Sequence, residues 1–77
     1  MSEIKEKAHR FKRLLRDESF QEVLEHVQDE QIATFLDPSS TLEDVMEARD
    51  NVKALGNIER VIRSAIDAEA VYDKKHS

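Results

Sequence analysis

His26 stands four residues after Glu22 and four before Glu30. On a helix that spacing sets a carboxylate one turn to either side of an imidazole, which could begin a metal site. A metal takes three or four converging ligands, and the Glu-x-x-His spacing of dinuclear helical bundles is missing. His9 falls on the solvated side of its helix and His76 in a frayed tail. The sequence therefore predicts neither a metal nor any other cofactor. Covalent chemistry has equally little to work with. Cysteine is absent, the single glycine cannot make a phosphate-cradling loop, and no serine has an evident histidine–acid pair. The expectation is a protein that is not an enzyme.

Charge is distributed more tellingly than any catalytic residue type. Residues 1–16 carry six Lys/Arg against Glu3 and Glu6, and residues 17–47 carry ten acids with no Lys or Arg. Lys5, His9, Lys12 and Arg16 repeat at spacings of 4, 3 and 4, and so do Glu18, Glu22, Glu25 and Asp29. Each set is a stripe along one side of a helix. The acidic stripe lies opposite the apolar stripe of its own helix, so it is either a solvated face or a docking surface for a basic partner. Complementary stripes of this kind set register and speed encounter more than they add affinity. The basic stripe, with Lys5, Lys12 and Arg16, could touch phosphates. The net charge of −5 and the lack of interleaved aromatic residues argue against nucleic acid. A membrane surface is disfavoured too, because Phe11, Leu14 and Leu15 have no tryptophan beside them. No apolar run approaches the ~20 residues of a bilayer span.

The elements that carry these stripes are helices. One glycine, one proline and 38% charged residues fit neither sheet nor disorder, and strong helix formers dominate. A first helix is predicted at about 2–16, with Ile4, Ala8, Phe11 and Leu15 on one face. Asp17 is its end and the N-cap of the next helix, with Ser19 and Glu22 as a competing capping box. The second helix runs to about residue 35 on a face of Phe20, Val23, Leu24, Val27 and Gln31. Residues 36–40, around Pro38, form a turn. Ser40 with Glu43 then caps a third helix over about 41–72. Gly56 within it implies either close approach of another backbone or a mild kink, with a break at Gly56–Asn57 as the alternative.

One all-α domain over 1–77 follows: a helical hairpin whose broken arm, 2–16 and 18–35, lies along the long arm, 41–72. The last few residues are expected to fray. The third-helix stripe of Val45, Ala48, Val52, Leu55, Ile62 and Ile66 approximates a heptad seam, interrupted at Glu59. Glu59 sits at the edge of that stripe or is a buried acid paired with an arginine such as Arg63. Ile58, Ala65 and Tyr72 widen the stripe enough to touch two neighbours. Val52, Leu55, Ile58, Ile62 and Ile66 are therefore the candidates for self-association. Ile32 and Leu36, off the second helix's apolar face, either pack under the Pro38 turn or contact another subunit. A chain of this size, without disulfides, is marginal alone and gains from a partner subunit.

The stretch from Leu14 to Val23 (Leu14–Leu15–Arg16–Asp17–Glu18–Ser19–Phe20) and the stretch from Glu47–Ala48–Arg49 to Leu55–Gly56–Asn57–Ile58–Glu59–Arg60–Val61–Ile62 resemble small helical proteins encoded among the virion-assembly genes of tailed bacteriophages. The resemblance implies a leucine-rich first helix, a bend at an aspartate, a short turn and a long final helix. It implies no functional residue. Together these readings predict a non-enzymatic phage structural or assembly protein that associates with itself or a larger virion protein. It would be found in the virion or the host cytoplasm, since charge near the N-terminus replaces a signal peptide's apolar core. Two alternatives stay open: an acidic inhibitor that mimics nucleic acid toward a basic enzyme through Glu18, Glu22, Glu25 and Asp29, and a small nucleic-acid-binding regulator that uses the basic first helix.

Overall fold

Each helix starts where the chain supplies an acceptor for amides that have no intrahelical partner. The computed structural model describes residues 2–76, in which the helices are α1 (Glu3–Arg16), α2 (Glu18–Leu36) and α3 (Leu42–His76). Ser2 caps α1, its hydroxyl accepting from the Lys5 amide at 3.3 Å. Asp17 does two things at one position. Its amide donates to the Leu14 carbonyl at 3.1 Å and closes α1, while its carboxylate accepts from the Phe20 amide at 2.9 Å and opens α2. The competing Ser19–Glu22 box is not used. One extended residue, with φ −73° and ψ 118°, thus makes the bend. The Gln21 amide group donates back to the Leu15 carbonyl across it. Asp17→Ala is expected to lower the unfolding free energy by about 1 kcal/mol, and Asp17→Ser by much less. Urea titrations followed by circular dichroism measure both.

The turn is built one residue later than the spacing of Ser40 and Glu43 suggested. The Ser40 hydroxyl is occupied, donating to the Thr34 carbonyl at 2.8 Å near the end of α2. Thr41 and Asp44 form the capping box instead, with reciprocal bonds of 3.1 and 3.0 Å. Asp37 organises the loop through bonds from the Ser39 amide and hydroxyl at 2.9 and 2.7 Å. The amide bond first, then the hydroxyl, holds its carboxyl below the usual carboxylate range. The support from Asp37 is present above that range and is lost as pH falls through the lowered value.

α3 runs unbroken for 35 residues and ends about one turn beyond residue 72. Gly56 causes no break, and a Cβ built there would meet nothing within 4 Å. No neighbouring backbone approaches it within the chain, so the expectation of close packing at Gly56 fails. Exposure, not crowding, surrounds this glycine.

α1 and α2 both lie along α3 and meet each other at the bend. The result is the expected hairpin, a flat rod of 56 × 22 × 14 Å. Its core is thin. The buried apolar side chains are Ala8, Ala48, Ile62 and Ala65, three of them alanines. Phe11, Leu15, Phe20, Leu24, Val27, Val45, Leu55 and Ile66 are half-buried beside them. Among the described residues no large side chain is fully buried. Two layers of helix give each side chain a neighbour across the seam but none above or below it.

Candidate interaction surface

Two polar contacts sit in the seam and fix how the arms align. Near the chain ends, Lys12 of α1 donates to Glu69 of α3 at 2.6 Å, and Glu69 is buried. Nearer the turn, Gln31 of α2 is buried; it donates to the Val27 carbonyl at 2.8 Å and accepts from Asn51 of α3 at 3.2 Å. A polar group buried at a helix seam is satisfied in one register and stranded in others, which is how such groups specify alignment.

The Lys12–Glu69 contact changes the reading of the basic stripe. Lys5 reaches Asp73 at 2.8 Å, and His9 lies 3.9 Å from Glu69. Spacing along α1 set His9 on the solvated side and offered Lys5 and Lys12 to phosphates, yet the edge of that stripe abuts α3 and its two lysines answer two acids there. The signal was present as Glu69 and Asp73, four residues apart on one side of α3. The hydrogen bond that Lys5 donates to Asp73, reinforced by the carboxylate's charge, raises the Lys5 ammonium above the ordinary lysine range. The support it lends is present below that range and is lost as pH rises through the raised value. Arg16 is exposed.

The acidic stripe is placed as expected. Glu18, Glu22, Glu25 and Asp29 are all exposed, and none makes an ion pair with another described residue. The one contact of this kind on α2 pairs His26 with Glu30, 2.8 Å apart and open to solvent. His76 stacks near the Tyr72 ring at 4.2 Å. Among the described residues no three His, Asp or Glu side chains converge where a metal could be held. No helix there is long and apolar enough to cross a membrane.

The five candidates for self-association divide. Ile62 is buried, at 4% exposure, and Leu55 and Ile66 are half-buried, all within the hairpin's own seam. Val52 and Ile58 remain exposed at 43% each. Ile32 and Leu36 do not pack under the turn, and Leu36 is 77% exposed. Glu59, in the gap of the stripe, is exposed.

Val23, expected on the packed face of the second helix, is 59% exposed, and the fold brings it with Leu14 and Val61, which no apolar face included, to one side of the rod. Two grooves define that side. Ile4, Lys7, Val61, Ala65 and Ala68 line one near the chain ends. Glu30, Thr34, Asp44, Glu47 and Asn51 line another near the turn. Leu14 lies seven residues after Lys7, Val23 seven before Glu30, and Ile58 seven after Asn51, so each keeps the face of its groove. All four of Leu14, Val23, Ile58 and Val61 are exposed. Seven-residue spacing from a groove residue was legible in the sequence; which residues formed grooves was not. Compared with protein-family models, curated proteins and solved structures, the chain matches none.

Proposed function

We propose that this chain is a non-enzymatic structural or assembly protein that acts by helix–helix association, with itself or with a larger protein of a phage particle. The observation that carries the reading is the mismatch between core and surface. Among the described residues four small or medium apolar side chains are buried, whereas twelve large ones are exposed. A hairpin in that state gains most from a partner that covers its open side, and a site for small-molecule chemistry adds nothing to that need. The phage setting comes from the resemblance of the Leu14–Val23 and Glu47–Ile62 stretches, which supplies the kind of larger partner.

Mass spectrometry of purified particles, produced from the genome that encodes the chain, tests the setting. Several copies per particle, or in assembly intermediates, are the expected result. Absence from both, in cells that make the protein, would reject it.

The acidic-inhibitor reading has a specific observation in its favour, the uncompensated stripe of Glu18, Glu22, Glu25 and Asp29. Reversal of those four charges separates the two. It should abolish binding to a basic partner if the stripe is a nucleic-acid mimic, and leave association unchanged if the apolar side is the working surface. The regulator reading is the weaker one, because Lys5 and Lys12 are engaged by Asp73 and Glu69.

A further inference from the structure

The association reading leaves its partner open, and the following inference rests on that reading. The rod exposes 6353 Å². A compact monomer of 8.9 kDa exposes roughly 4,800 Å². The excess of about 1,500 Å² exceeds the ~800 Å² that each partner gives to a standard interface. One more chain of similar size can therefore cover a whole side.

Charge identifies that chain. Residues 17–58, the half of the rod nearer the turn, carry eleven acids and two bases. The other half, made of residues 1–16 and 59–77, carries six acids and ten bases. The halves are formally −9 and +4. A rod charged in this way is complementary to itself when reversed end for end, and repels itself when aligned in parallel.

We propose that a second copy of this chain covers the side bearing Leu14, Val23, Ile58 and Val61, antiparallel to the first and related by a two-fold axis near residues 58–61. Residue 59 is the midpoint of α3. A two-fold axis there lays the apolar middle of one copy on that of the other, because an isologous contact repeats the same patch. It also lays the groove containing Lys7 over the groove containing Glu30, Asp44 and Glu47, twice. Ser64, Ala65 and Ala68 beside that groove are small enough for the helices to approach closely.

The chain has no cysteine, so Ser39→Cys places a unique spin label at the tip of the turn. In the 77-residue chain, pulsed dipolar spectroscopy should give a tip-to-tip distance above about 40 Å, close to the length of α3. A shorter distance, or a monomeric mass at millimolar concentration, overturns the proposal. Such a monomer that still joins particles would overturn this pairing alone and leave the association function standing. A charge exchange gives a second reading. Lys7→Glu with Arg60→Glu, which line one groove, and separately Glu30→Lys with Glu47→Lys in the other, should each weaken self-association at least about tenfold. An equimolar mixture of the two variants should restore it. Weakening without restoration, or no weakening, overturns the pairing.

Discussion

Ile62→Asp is expected to leave the chain without a cooperative unfolding transition at 25 °C. Among the described residues Ile62 is the largest of the four buried apolar side chains, at 4% exposure, and the only one that is not alanine. Truncation of a buried isoleucine to alanine costs about 2–5 kcal/mol. A single small core without disulfides supplies about 3–5 kcal/mol in all. The aspartate adds to the lost packing a carboxylate with no cation placed to receive it. Lys12 is already held by Glu69, and Arg63 is exposed on the neighbouring position. Burial of an unpaired charge is worse than a cavity, so the folded state has nothing left to offset chain entropy. Circular dichroism through a urea titration measures the outcome. A sigmoidal transition with a midpoint near that of the native chain would show that the seam is not centred on Ile62. Ile62→Val, which removes one methylene, should retain the transition at a cost of about 0.5–1.5 kcal/mol.

The same residue shows what could be read before the fold was known. Ile62 belongs to the 3–4 stripe of α3; such spacings in each segment gave the three helices, while the cap at Asp17 gave the bend and the Pro38 turn the hairpin. Local chemistry was nearly as legible, because a cap is decided by neighbours three residues apart. The box at Thr41–Asp44 was misplaced by one residue since Ser40 makes a bond to Thr34, and that bond exists only once α2 has ended. Longer-range facts were hidden for a related reason. Lys12 meets Glu69 across 57 residues of sequence, and no periodicity within α1 can announce a partner on α3. The division of the apolar stripe was hidden as well. Val52, Leu55, Ile58, Ile62 and Ile66 look alike as a pattern, yet a two-layer rod has room in its seam for only some of them. Gly56 misled in the opposite direction, because glycine in a helix suggests a close neighbour and the neighbour is not in this chain.

Val61→Asp should do the reverse of Ile62→Asp, one residue away. Val61 is 53% exposed, and it lines the groove near the chain ends rather than the seam. Valine and aspartate have similar helix propensity, and a mid-helix position feels little of the helix dipole. The stability of the separate hairpin should therefore change by no more than about 0.5 kcal/mol. Association should weaken at least about a hundredfold, roughly 3 kcal/mol. Near a two-fold axis the aspartate enters twice, so each copy desolvates a charge against its own like. The two effects separate in one measurement, because a chain that folds better when associated melts at a temperature that rises with concentration. The native protein should show that rise. Val61→Asp should melt at the dilute-limit temperature of the native protein at every concentration, with a monomeric mass by sedimentation equilibrium. Met46→Asp is the control. Met46 is 59% exposed, but it lies about 160° round α3 from Ile62, on the side away from the seam. It should keep the native concentration dependence. If Val61→Asp keeps it too, the Leu14–Val23–Ile58–Val61 side is not the surface that associates.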